Sequence, residues 1–350
     1  MDQRTLPTMA GRAFILAVGI ACLAARAQAP SGEASDVDVE VYRASTLQDF
    51  NPLPYPSSEL SGSREGWVIT SFMVDSQGKP YEIAVVDSMG GKPFEKAAIR
   101  SVERSAFTPA TVGGKAIDSG NTLKLKFAIR DLAKGADGHF VRLYSALGSA
   151  VNKGDREAAD KALQAMEPDN LYEDAFFHFG RFRYHVKWGT ETQQLEDLRA
   201  AIAGEAEARY FSRKEFATML AALLKLEVAR NEFGKALETW RLLEKHGTAA
   251  QNASWLPVME KVRALQTSNA PIRLGAEIGA SGSWWNRLFR RRFQIVVLDG
   301  RVADIKLRCE KSYLLFHFDP ALEYTVKNGD GACDIEVIGD AGTRFQFVQT

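Results

Sequence analysis

The chain has no excess charge of either sign. Lys plus Arg and Asp plus Glu both total 44 in 350 residues, so no global field draws it to nucleic acid or to an anionic membrane. Histidine is sparse and scattered (139, 178, 185, 246, 317). No H-E-x-x-H and no paired-cysteine spacing is present, so no metal site is expected. "MGGKPF" lacks the first glycine and the Lys-Ser/Thr ending of a phosphate loop. There is also no G-x-S-x-G elbow and no nucleophile beside an identifiable base. The expectation is a protein with no catalytic residues and no cofactor.

The opening segment is informative. Arg4 and Arg12 precede an apolar run from Ala13 to Ala25, followed by small residues spaced A-x-A. The run is short of the ~20 residues that span a bilayer and reads as a secretory signal, residues 1–27, cut after Ala27. Removing Asp2 and three arginines leaves 41 basic and 43 acidic residues. The expected location is periplasmic. The alternative is an inner-membrane anchor through residues 13–25, and membrane contact is expected only if that segment is retained. Cys22 reads as apolar filler within the signal. Export leaves Cys309 and Cys333 where disulfides persist, and they are expected to pair.

Residues 28–52 are polar and acidic without sustained periodicity, which reads as a flexible leader. "GWVITSFMVD" (66–75) carries apolar residues on both faces, the mark of a strand buried on both sides. With "SQGKP" as the turn and "YEIAVVD" (81–87) it forms a hairpin. Phe94, Ala97, Ala98 and Val102 make one helix stripe. "TPATVGGKAIDSG" reads as a loop, and Leu123, Leu125, Phe127 and Ile129 alternate against Lys124 and Lys126 in a last strand.

From 138 to 268 the texture is helical. Breaks at Gly154, Gly189 and Asn231 lie 35 and 42 residues apart, which suits stacked helix pairs. From 271 to 350 strands return, including an expected hairpin over 293–309 with Asp299-Gly300 at its turn. The fold class is α+β: a small β-β-α-β domain over 53–131, an all-α helix-pair (TPR-like) region over 138–268, and a C-terminal antiparallel β domain over 271–350.

The ordered set "YP" (Tyr55, Pro56), "EGWV" (65–68), "FMVDSQG" (72–78), "VVDS" (85–88), "FEKAA" (94–98), "FTPA" (107–110), "GGK" (113–115) and "LKLKFAI" resembles the C-terminal domain of the TonB family. The resemblance covers about a fifth of the chain. It implies a periplasmic module that grips a segment of an outer-membrane receptor, or of another envelope protein, by strand addition to the edge formed by the last strand. The implied partner-binding residues are Tyr55, Pro56, Leu123, Lys124, Leu125, Lys126 and Phe127. Lys124 and Lys126 either discourage self-pairing of that edge or form its solvated face.

The leader differs from a force-transmitting spacer. The stretch from 28 to 54 has prolines only at 30, 52 and 54, and fully extended its 27 residues reach about 95 Å. The apolar run carries no ionisable residue that could couple to a proton motor. A scaffold whose helical repeat does the binding, with a structural TonB-like module, is the alternative reading. Two further clusters read as packing: the aromatics Tyr172, Phe176, Phe177, Phe179, Phe182 and Tyr184, and "WWNRLFRRRF" (284–293), whose other reading is contact with a membrane or an anionic polymer.

Overall fold

The computed structural model describes residues 42–129, 135–203 and 210–350, all within one compact unit spanning residues 40–350. The signal segment lies outside the described residues. None of the described helices is long and apolar enough to cross a membrane.

The chain first forms two short strands, β1 (Tyr42–Arg43) and β2 (Thr46–Asp49), then helix α1 (Ser57–Ser61) and the long strands β3 (Gly66–Val74) and β4 (Pro80–Met89). Helix α2 (Lys92–Arg104) follows, then β5 (Ala106–Thr108), β6 (Ala110–Val112), β7 (Lys115–Ile117) and β8 (Ser119–Phe127). β3, β4 and β8 form an antiparallel sheet in the order β4-β3-β8. α2 seals one face because its stripe of Phe94, Ala97, Ala98 and Val102 is wholly buried against Val68, Phe72, Val74, Leu125 and Phe127. That burial is the main force holding the module together.

Two expectations need correction here. The segment read as a leader contributes β1, which pairs with β6, and β2, which pairs with β5. The segment read as a loop holds β5, β6 and β7, with β6 and β7 turning on Gly113 and Gly114, both at positive φ. Strands of two to four residues leave no periodicity to read.

The middle is a run of helices: α3 (Gly138–Lys153), α4 (Arg156–Ala165), α5 (Leu171–Trp188), α6 (Glu191–Ala203), α7 (Arg213–Ala229), α8 (Phe233–His246) and α9 (Ala249–Leu265). They pack as pairs, α3 with α4, α5 with α6 and α7 with α8. Each break seen in the sequence is the turn inside a pair. Gly154 (φ 81°) and Asn231 (φ 61°) supply left-handed conformations there, and Gly189 caps α5. Starts are fixed by side chains: Asp137, Asp155, Asn170, Ser212 and Thr248 each accept from a first-turn amide. The aromatic cluster is packing, with Phe176 against Tyr172 at 4.6 Å and against Phe211 at 4.7 Å.

The tail is a two-sheet sandwich. Its strands are β9 (Ile272–Glu277), β10 (Ser283–Arg287), β11 (Arg292–Asp299), β12 (Val302–Cys309), β13 (Tyr313–His317), β14 (Tyr324–Thr325), β15 (Cys333–Gly339) and β16 (Arg344–Gln349). The sheets run β10-β15-β12-β13 and β14-β11-β16-β9. The hairpin expected over 293–309 does not form. Gly300 makes the turn at φ 86°, but β11 enters one sheet and β12 the other, so Phe293 and Ile295 face Ile305 and Leu307 across the core. Cys309 and Cys333 lie opposite each other on β12 and β15 and are joined by a disulfide.

Much of "WWNRLFRRRF" is packed, although Arg292 is exposed. Trp284 stands edge-on to Phe345 at 5.2 Å. Arg290, 5% exposed, donates to the carbonyls of Leu265 and Ala270, tying the end of α9 to the sandwich.

Candidate functional site

Among the described residues, β8 is the edge of its sheet, pairing with β3 and with no other strand. Its side chains alternate. Leu123, Leu125 and Phe127 enter the core beneath α2, with Leu125 and Phe127 5% and 1% exposed. Lys124 turns to the other face, where its Nζ lies 4.4 Å from the centre of the Trp67 ring and donates to the Ala203 carbonyl. Lys126 is half-buried. Lys124 is thus half-buried and packs over Trp67 on the sheet's second face. Tyr55 is half-buried, edge-on to Phe94 and Phe127 at 5.9 and 5.8 Å, and its hydroxyl donates to the Arg64 carbonyl at 2.6 Å. Burial first, then Glu65 and Glu59, push that hydroxyl up to about 12. Pro56 precedes α1 in an extended conformation and accepts two amides with its carbonyl.

The structure thus brings Tyr55 and Phe127 together but commits both side chains to the module. What β8 offers outward is backbone. The edge has a boundary at its start: a Cβ on Gly120 would sit 2.8 Å from the Cys309 carbonyl oxygen, so only glycine lets β8 approach β12 there. Residues 121–127 lie beyond that contact.

The sheet's second face is covered as well. Trp67 Nε1 donates to Asp174 on α5 at 3.2 Å. Lys306 and Glu82 pair at 2.6 Å, and Arg308, 3% exposed, donates to the Glu82 carbonyl and pairs with Glu336 at 2.7 Å. Glu82 has φ 50°, rare for a side-chain-bearing residue. Glu65, in "EGWV", accepts from the amides of Ile129 and Leu171, joining the end of β8 to the start of α5.

Behind Asp174 lies a buried network that residue spacing alone did not reveal. Asp197, fully buried, accepts from Arg181 at 2.5 Å and contacts His178 at 3.3 Å and His185 at 2.6 Å. His178 also meets Asp174 at 3.4 Å. Burial pulls the His178 pKa down, but the hydrogen bonds to Asp174 and Asp197 outweigh it and hold it up at about 9, so the ring is charged at neutral pH. The signal was there in weak form: His178 and His185, seven residues apart, share one face of a helix.

The fold and the open strand together define a small strand-edge module built into a larger body. Residues 51–129 match the family model for the Gram-negative bacterial TonB protein C-terminal, and this stretch is a TonB C-terminal domain. The chain is similar to a solution structure of the Pseudomonas aeruginosa TonB C-terminal domain, at 23% identity over 29% of this chain and 95% of that one, with a TM-score of 0.23. It is also similar to the TonB2 protein of Vibrio anguillarum, at 29% identity over 35% of this chain and 100% of that one, with a TM-score of 0.20. No curated protein matches the chain.

Proposed function

We propose that the protein is a non-catalytic, periplasmic member of a TonB-type system, in which β8 receives an extended segment of an outer-membrane receptor or another envelope protein. The observation that carries this reading is the edge position of β8 in a TonB C-terminal domain. The backbone groups along a sheet edge are those that strand addition uses. Because Leu125 and Phe127 are buried beneath α2, recognition at this edge rests on backbone, with Thr122 and the half-buried Lys126 as flanking contacts. A scaffold reading, in which helices α3–α9 bind the partner, is favoured only by their stacking as pairs.

Hydrogen exchange of the full chain separates the two. A receptor-derived peptide at saturating concentration is expected to protect amides within residues 121–127. Protection confined to residues 138–265 would sink the edge-strand reading and establish the scaffold one.

A further inference from the structure

A pocket of about 320 Å³ opens between α8 and the connection from β10 to β11, outside the residues that match the TonB family. Leu237, Glu238 and Arg241 line it from one face of α8, at the three- and four-residue spacing that stacks side chains along a helix. A second wall runs from Arg287 to Arg291. The two walls meet at Gly234, where a Cβ would lie 2.4 Å from the Arg287 carbonyl oxygen, so only glycine lets α8 come this close.

The arginines of this lining differ in what they have left to offer. Arg287 is held by Asp334 at 2.7 Å and Glu238 at 3.2 Å. Arg290 is buried and spends its donors on the carbonyls of Leu265, Ala270 and Gln349 and on the Ser268 hydroxyl, with no carboxylate in ion-pair range among the described residues. Burial pulls its pKa down. Arg291 donates through Nη1 to the Gly331 carbonyl, and its Nε and Nη2 form no hydrogen bond among the described residues. Arg241 is exposed and has no ion pair among them. Arg241, Arg287, Arg290 and Arg291 are thus set against two carboxylates, Glu238 and Asp334, around a space large enough for a small organic molecule. A buried charge without a counter-ion is costly, and an anion beside it offsets part of that cost.

The guanidinium fork fits the paired oxygens of phosphate or carboxylate. An excess of two positive charges favours phosphate, whose monoester carries about two negative charges at neutral pH. Leu237, Leu288 and Phe289 give the remainder of a ligand an apolar surface. We propose that this pocket binds a phosphate monoester with an apolar body, with Arg241 and Arg291 contacting the phosphate oxygens and Arg290 supplying charge from the buried side.

The test titrates the full chain, in phosphate-free buffer at low salt, with phenyl phosphate, inorganic phosphate and benzyl alcohol, read by isothermal titration calorimetry. Phenyl phosphate is expected to bind with a Kd below about 1 mM, inorganic phosphate about fivefold weaker for want of the ring, and benzyl alcohol not at all. Arg241→Ala, at an exposed and unpaired position, weakens phenyl phosphate about tenfold while the thermal unfolding curve stays unchanged. Glu238→Gln strengthens it about threefold by removing a negative charge from the wall. Vesicles of phosphatidic acid in phosphatidylcholine distinguish the sources of the group: co-sedimentation that is lost in Arg241→Ala assigns a lipid headgroup, and its absence beside phenyl phosphate binding assigns a soluble ester. No binding of phenyl phosphate at millimolar concentration, inorganic phosphate binding as tightly as the ester, equal affinity in Arg241→Ala, or unchanged or weaker binding in Glu238→Gln would each overturn the proposal. Because the pocket shares no residue with β8, the outcome is independent of the reading given to that edge.

Discussion

Trp67 and Asp174 stand 107 positions apart in the chain, yet the indole Nε1 of one donates to the carboxylate of the other at 3.2 Å. Trp67 is 3% exposed and Asp174 5%. The bond is a seam between the face of the TonB-like sheet opposite α2 and the first turn of α5.

Replacing Trp67 by Phe keeps most of the ring packing and removes the donor. The expected loss of stability is about 1–2 kcal/mol, because a buried carboxylate oxygen is left without a partner. A double-mutant cycle with Asp174→Ala, read by urea unfolding, is expected to give a coupling of about 1 kcal/mol. Additive losses would mean that the seam is held by ring contact alone.

The buried histidine network gives the seam a pH dependence. The folded pKa of His178 is raised, to about 9, so its charge stabilises the fold fully below the ordinary histidine value near 6.5. That contribution is lost as pH rises through about 9. Lys235 works in the opposite sense: burial lowers it to about 8, so stability is gained as pH rises past that value. The clean readout is therefore the difference between wild type and His178→Gln. Wild type is expected to lose on the order of 2 kcal/mol of its advantage between pH 7 and pH 10. A constant difference across that range would mean that His178 is not charged in the folded protein.

Reducing the Cys309–Cys333 bridge reopens a loop with a sequence separation of 24, which the chain-entropy model values at about 3.5 kcal/mol. The sandwich is expected to melt earlier in the presence of dithiothreitol. Because the Cys309 carbonyl abuts Gly120, the amides at the start of β8 are expected to exchange faster too. Faster exchange restricted to β12 and β15 would show that the two modules are not coupled at that contact.

Much of the architecture was legible because burial imposes a period. The α2 stripe and the unbroken apolar run of β3 each matched their environment, since a helix sealed on one side and a strand covered on both leave distinct patterns. The Asp299-Gly300 signal was real, but it reports only a reversal of chain direction. Whether the flanking strands pair with each other or enter opposite sheets depends on partner strands further along the chain. The run of arginines was opaque for a related reason. Arg290 reads as a surface charge until the carbonyls of Leu265 and Ala270 are placed around it. At the candidate site, Tyr55, Pro56 and the last strand were found through an ordered motif. That the lysine at 124 packs over Trp67 depends on a covered second face that no local pattern encodes.

That covered face separates two boundaries that usually coincide. Residues 51–129 are the unit recognisable by family, but Trp67, Ser71 and Met73, all nearly inaccessible here, turn away from α2 toward the rest of the body. Cut out at the family boundary, the module would present a freshly exposed apolar surface to solvent and would self-associate. The segment recognisable by family is, in this protein, smaller than the segment over which its buried surface is shared.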